Sequence, residues 1–343
     1  MSIFDHRLII NSGKGGTGKT TISAALAVIA AARGLRVLLV ELDTRDRFGP
    51  LFGVAPVGYE VRDLRPGIQA INLDPHLVMV DFFKTHVKVK RIYKQIVESR
   101  IWQYFYEAAP GLKELILMGK IWRLVGERSF FGGRPTYDCV IVDAPATGHG
   151  FSLLNVPQAA YETLFGPMKK NAEKIRDMVR DPKTTVLNIV TLPEEMPVNE
   201  AVELHRQARD TLKVAQGVLF MNAIYPPLLD PAEAKALEGL GPAGGPASGP
   251  SADGNERRAR VAAAVGGEPA LEALVRCARS REERAAMGER YSARIREEVP
   301  LPFVPVPFVF DADFDVGTLT AVARSLERAF GVPAPHAKRT AAP

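Results

Sequence analysis

Short, almost wholly apolar runs alternate along the chain with longer stretches of helical period. Runs without polar alternation have no wet face, so the pattern predicts a parallel sheet covered by helices on both sides. Strands are expected at Leu8 to Asn11, Arg36 to Leu42, Ile68 to Leu73, Asp138 to Val142, Thr185 to Thr191, Gly217 to Asn222 and Phe303 to Val306. Helices are expected at Lys19 to Arg33, Gln158 to Arg180, Val198 to Val214 and Phe314 to Phe330. The fold class that follows is α/β, a doubly wound and mostly parallel sheet.

Between the third and fourth strands, about residues 75 to 135, the pattern changes. Val89, Ile92, Tyr93, Ile96, Val97, Ile101, Tyr104 and Phe105 follow helical spacing, as do Leu112, Leu115, Ile116, Trp122 and Val125 after Pro110-Gly111. This predicts a helical insert subdomain, rich in aromatics, with Lys84, Lys88, Lys90, Arg91 and Lys94 clustered at its start. Residues 241 to 254 (GPAGGPASGPSADG) can bury almost nothing and are expected as a flexible loop. A charged helical region, Asn255 to Glu298, follows it, and residues 332 to 343 are expected as a disordered tail. The organisation expected is one domain over residues 1 to 331 carrying the insert.

Composition narrows the classes without choosing among them. With 343 residues, 46% hydrophobic and 24% charged, the chain is neither disordered nor collagen-like. Lys plus Arg number 44 against 39 Asp plus Glu, a net +5 too small to predict a stable nucleic-acid complex. Cys139 and Cys277 form no Cys-x-x-Cys pair, so a zinc site within one chain is not expected. The longest apolar run, Ile22 to Ala32, is too short for a transmembrane helix. The N-terminus lacks a signal-peptide pattern, and the expected location is the cytoplasm, where two reduced thiols are ordinary.

The chemistry concentrates in Gly13-Lys14-Gly15-Gly16-Thr17-Gly18-Lys19-Thr20, which fits GxxxxGK[ST] between an apolar strand and an Ala-rich helix. Glycines let successive N–H groups face phosphates, and the helix N-terminus adds its positive partial charge. Lys19 is expected on the β- and γ-phosphates and the Thr20 hydroxyl on Mg²⁺, with Thr21 beside it. A second lysine in the loop, Lys14, adds little to its own site and is read as reaching the nucleotide of a partner subunit. Asp43 ends one strand, where a carboxylate can orient or deprotonate water on the γ-phosphate. Asp143 ends another and is expected to hold Mg²⁺ through water.

GKGGTGKT, the strand ending in Asp43, and DAPATGH followed by Leu153-Leu154 and Pro157 together resemble the ArsA/Get3 family of deviant Walker ATPases. Further fragments fit: Asn72-Leu73-Asp74-Pro75, Pro110-Gly111, Leu192-Pro193-Glu194 and Met221-Asn222. The resemblance implies an ATP-hydrolysing, Mg-dependent dimer with Lys14 as the intermolecular signature lysine and Asp43 as the switch I carboxylate. It implies switch II at Asp143, Thr147, Gly148 and His149, relaying nucleotide state to the insert. It places Asn222 on adenine and Pro307 and Phe308 along the base pocket. No Asn-Lys-x-Asp guanine signature is evident, so ATP is expected rather than GTP.

Four departures shape the expectation further. The family's zinc-binding Cys-x-x-Cys is absent from Asn222 to Pro227, and the arsenite pumps' metalloid cysteines have no match. Switch I reads Asp43-Thr44-Arg45-Asp46 where the family has Asp-Pro-Ala-His, and Asp313-Phe314-Asp315-Val316-Gly317 replaces a Glu-Val-Arg-Gly type sequence. The expected protein is a zinc-free dimeric ATPase, homomeric or paired with a paralogue, whose insert takes a client or partner protein, with peripheral membrane contact allowed. Two alternatives stay open: a ParA/MinD-like positioning ATPase, and the regulatory half of a heterodimer.

Overall fold

A computed structural model of the chain describes residues 2–42, 45–86, 111–128, 133–238, 240, 252–311 and 314–330. Its strands are β1 (Leu8–Ser12), β2 (Val37–Glu41), β3 (Arg62–Arg65), β4 (Ile68–Asn72), β5 (Cys139–Asp143), β6 (Thr185–Thr191), β7 (Gln216–Ile224) and β8 (Phe303–Pro307). They form one sheet in the order β3-β4-β2-β5-β1-β6-β7-β8. Every neighbouring pair is parallel except β3 with β4. The α/β, mostly parallel architecture read from the apolar runs is the one the chain adopts.

The helices are α1 (Lys19–Ala32), α2 (Phe48–Leu51), α3 (Pro75–His86), α4 (Leu112–Gly126), α5 (Thr147–Thr163), α6 (Gly166–Arg180), α7 (Glu195–Gln207), α8 (Pro231–Glu238), α9 (Ala252–Val265), α10 (Glu268–Glu298) and α11 (Val316–Ala329). Side chains of β1 alternate between two cores. Ile9 joins α1 and α11 on one face, and Leu8 and Ile10 join α4, α5 and α6 on the other. A third cluster packs α7 and α10 over β6 and β7.

Four local readings are corrected. The stretch Gln158 to Arg180 is not one helix: Leu164 and Phe165 are extended, and Gly166 at φ +64° precedes Pro167, so α5 ends and α6 begins there. The helix expected over Val198 to Val214 starts earlier, stops at Gln207, and continues as a π-helical turn, Ala208–Leu212, closed by Lys213 at φ +55°. Asn255 to Glu298 is split by Gly266 and Gly267, both at positive φ. The stretch expected as loop through Gly254 gives way to helix at Ala252, while residues 241–251 lie outside the described residues. The edge strand β3 went unread because only Leu64 of its four residues is buried.

Of the region read as an insert, α3 and α4 are described, and residues 87–110 and 129–132 lie outside the described residues, as does the tail from 331. No described helix is long and apolar enough to cross a membrane.

Candidate functional site

The helix that follows β1 lies on one face of the sheet and the helix that follows β5 on the other, so the chain leaves the carboxyl ends of these two paired strands in opposite directions. Ligands of open α/β sheets bind at such a switch point. The last residues of β1 are tied down from two sides. Asn11 Nδ2 donates to Ser23 Oγ of α1 at 2.8 Å, and Asn188 Nδ2 of β6 donates to Asn11 Oδ1 at 2.9 Å. Asn188 Oδ1 in turn accepts the Val218 amide of β7 at 3.0 Å, so the root of the loop is anchored to the sheet and to α1.

Residues 13–18 then turn the chain into α1. Gly13 has φ +154° and lies so close to Val190 O that a Cβ there would collide, and Gly18, the N-cap of α1, has φ +86° and abuts the Asn222 amide. No side chain at these two positions could keep the same path. Lys19 is 8% exposed, and its ammonium donates to Gly13 O at 3.0 Å and Lys14 O at 2.8 Å. Burial holds Lys19 below the ordinary lysine range, with the Asp143 charge opposing that shift and the Arg47 charge adding to it. An ammonium buried and held, among the described residues, by neutral carbonyls is suited to receive an anion.

The Thr20 hydroxyl, one residue on, donates to Asp143 Oδ2 at 2.5 Å. Asp143 ends β5 in register with Asn11 on one side and Glu41 on the other. Two hard oxygen donors next to a phosphate cradle are the donor set Mg²⁺ takes, so the residues present fit that ion. Thr17 is buried and bonds Lys14 O at 2.9 Å, and Thr21 is half-buried on the first turn of α1.

Lys14 and Lys19 diverge. The Lys14 ammonium leaves the loop and pairs with the carboxylate of Glu200 on α7. The segment read as switch II starts α5 beside the root of the same loop: a Cβ on Gly150 would lie 2.8 Å from Ser12 Oγ. Thr147, Gly148 and His149 form the first turn of that helix. Asn222 Nδ2 donates to Thr17 O at 2.9 Å, which brings the end of β7 against the loop. Pro307 and Phe308 join there as well, because the Phe308 amide donates to Ile224 O at 2.8 Å and its ring stacks on Tyr225 with centroids 4.6 Å apart. Asp43 and Thr44 lie outside the described residues.

Two acidic residues were missed. Glu200 had no local signal, since the sequence separation from Lys14 is 186 residues. Glu41 did have one, a single acid in the apolar run VLLVE. It is 1% exposed, and its carboxylate accepts the Arg47 amide at 3.1 and 3.2 Å. Burial, with the Asp143 charge adding to it, pushes its pKa up to about 8.

Away from this site, α3, α4 and α6 enclose a largely apolar cavity of about 520 Å³, lined by Val78, Met79, Leu115, Ile116, Met168 and Ile175 among others. Its polar margin is a cluster in which Lys120 and the Tyr59 hydroxyl both donate to Asp81 Oδ2, at 2.8 and 3.2 Å. Tyr59 lies in the stretch between α2 and β3, so the cluster joins that stretch to α3 and α4.

A mostly parallel sheet with this loop at its switch point defines a P-loop nucleoside triphosphatase, and comparison with known proteins narrows the class. The family of anion-transporting ATPases, ArsA_ATPase, matches residues 6–170. The ATPase BagA of Mycobacterium tuberculosis is 32% identical over 240 residues, covering 68% of this chain and 70% of that protein. The ATPase GET3C of Arabidopsis thaliana is 23% identical over 66% of this chain and 69% of its own. An arsenical pump-driving ATPase of Escherichia coli is 27% identical over 63% of this chain and 39% of its own. The chain belongs to the ArsA ATPase family, whose members include the Get3-like ATPases.

Proposed function

We propose that the protein is a Mg-dependent, nucleotide-switched dimer that couples ATP hydrolysis to movement of its helical segment, α3 and α4 with the residues between them. The observation that carries this reading is the divergence of the two loop lysines. Lys19 turns into its own phosphate cradle, and Lys14 points away from it. A lysine directed outward from the loop serves the nucleotide of a facing subunit, where it neutralises charge on the transferring phosphoryl as an arginine finger does.

In this reading the amides of Gly13, Gly15, Gly16 and Gly18 with Lys19 hold the phosphates. Thr20 and Asp143 would hold Mg²⁺, Asp143 through water, while Asp43 orients the attacking water. Bound Mg²⁺ would neutralise charge on the β- and γ-phosphates. Asn222 reads the adenine edge and Pro307 and Phe308 flank the base. Thr147 to His149 carry the change at Asp143 into α5, which packs on α4 and α6. The cavity between α3, α4 and α6 takes an apolar segment of a client protein, by helix-in-groove recognition. Zinc has no part in the assembly.

Turnover and sedimentation of the Lys14→Ala variant test the proposal. ATP binding should survive while turnover falls by roughly 10³-fold or more and the ATP-dependent dimer is lost. Unchanged turnover would remove the intersubunit role of Lys14.

A further inference from the structure

The cavity between α3, α4 and α6 has two kinds of lining. Val78 on α3, Leu115 and Ile116 on α4 and Ile175 on α6 belong to its apolar part, while Asp81, Lys120 and Arg123 supply its charges. Asp81 is already engaged, because Lys120 Nζ and the Tyr59 hydroxyl both donate to its Oδ2, at 2.8 and 3.2 Å. Arg123 lines the cavity yet is exposed to solvent, and among the described residues it makes no hydrogen bond or ion pair. A further cation stands close by: Lys174 Nζ lies 5.8 Å from the ring centroid of Trp122, which also lines the cavity. These residues set three cations against one carboxylate.

Size narrows the occupant. The volume, about 520 Å³, falls within the roughly 300–1,000 Å³ of sites that enclose small ligands. A helix about 10 Å across would fill it with little more than one turn, which leaves a client helix lying across the mouth. A single alkyl chain is thin enough to enter.

We infer that the cavity binds a free fatty acid, its alkyl chain among the apolar side chains of α3, α4 and α6 and its carboxylate on Arg123. The planar fork of Arg123 matches two carboxylate oxygens at once, and the charges of Lys120 and Lys174 add to the attraction. A cationic head would meet the same charges with repulsion. The site stands apart from the phosphate loop, and its ligand competes with the client segment proposed for the same cavity, so the acid would regulate client capture.

Gly119 offers a way to close the site. Among the described residues a Cβ there meets Ile175 Cδ1 at 3.8 Å, an ordinary contact, so a longer side chain at that position grows into the cavity.

Isothermal titration calorimetry of the full chain without nucleotide tests the inference with dodecanoate and dodecyltrimethylammonium, which share a chain and differ in the sign of the head. Dodecanoate should bind once per chain and roughly tenfold or more tightly than the cation. Decanoate, two methylenes shorter, should bind about tenfold more weakly than dodecanoate. Arg123→Gln should lose about tenfold in dodecanoate affinity, and Gly119→Leu should bind none. Neither variant should melt below the parent, since Arg123 is exposed and Leu is a better helix former than Gly. Equal binding of the two heads, or parental affinity in either variant, would overturn the inference. Capture of phosphatidylserine vesicles without binding of dodecanoate would overturn it as well, by assigning the cations to a membrane surface. A labelled apolar helical peptide separates this inference from the client reading. Peptide binding without dodecanoate binding sinks the fatty-acid site, whereas dodecanoate binding without peptide binding supports it and removes the client.

Discussion

The Lys14 ammonium pairs with the Glu200 carboxylate on α7, whereas the Lys19 ammonium is turned back onto the carbonyls of Gly13 and Lys14. Glu200 thus holds within one chain the lysine proposed to serve another. Both side chains are about one-third exposed, at 31% and 30%, so water screens the pair and its worth is on the order of 0–1 kcal/mol. A contact that weak can restrain Lys14 and still yield to a phosphate.

Release of that restraint is measurable. In Glu200→Gln the lysine no longer leaves a carboxylate to reach a partner's nucleotide, so dimer should form at lower ATP. Restraint of up to about 1 kcal/mol corresponds to a shift of at most about fivefold in the half-saturating ATP concentration. Sedimentation velocity across an ATP titration reads it, and a shift to higher ATP would assign Glu200 a supporting part in the dimer instead.

Glu41 predicts a pH dependence. Its folded-state pKa is raised from 4.5 to about 8 by burial, so between those values the folded chain binds the proton more tightly than the unfolded one. The contribution is fully present below the unfolded value and is lost as pH rises through about 8. Glu41→Gln keeps an uncharged side chain at every pH. In Mg-free protein it should be more stable than the parent at pH 8.5 by about 1–3 kcal/mol, with the gap closing near pH 5. Thermal unfolding of both chains at the two pH values checks this, and a gap of constant size would show that Glu41 does not titrate in the window.

Asn222 predicts a coupled loss. Asn222→Ala removes the bond to Thr17 O that holds β7 against the loop, at a cost of about 0.5–1.5 kcal/mol. If the same amide reads adenine, discrimination between ATP and GTP should narrow as well. Competition binding with the two nucleotides separates the effects, since a purely structural role lowers both affinities alike.

How far the sequence could be read followed how local each feature is. The turn from Gly13 to Thr20 is contiguous, and Gly13, Gly16 and Gly18 are where φ is positive, so spacing alone revealed it. Asp143 was legible because an acid closing an apolar run must sit at a strand's carboxyl end. Glu200 was not, because its partner is brought near only when α7 follows β6 back to the loop. The break at Leu164 to Gly166 was masked by helical periodicity on both sides, although Gly166-Pro167 carried the signal. Edge strand β3 depends on pairing with β4, which no periodicity of its own four residues announces.

The cavity supplies the last prediction. Met168 is 53% exposed at its edge, so its side chain adds little to the core, whereas Ile175 on the same helix is 4% exposed and holds α6 in place. Met168→Glu should therefore change stability by no more than about 0.5 kcal/mol, as surface substitutions do. It would nevertheless place a charge where an apolar client segment enters, and an unpaired charge against an apolar partner costs enough to weaken binding tenfold or more. Fluorescence anisotropy with a labelled apolar helical peptide, run beside thermal unfolding, reads both quantities. Weakened binding at unchanged melting temperature supports the groove, and equal binding by the two chains would assign the cavity to packing of the helical segment itself.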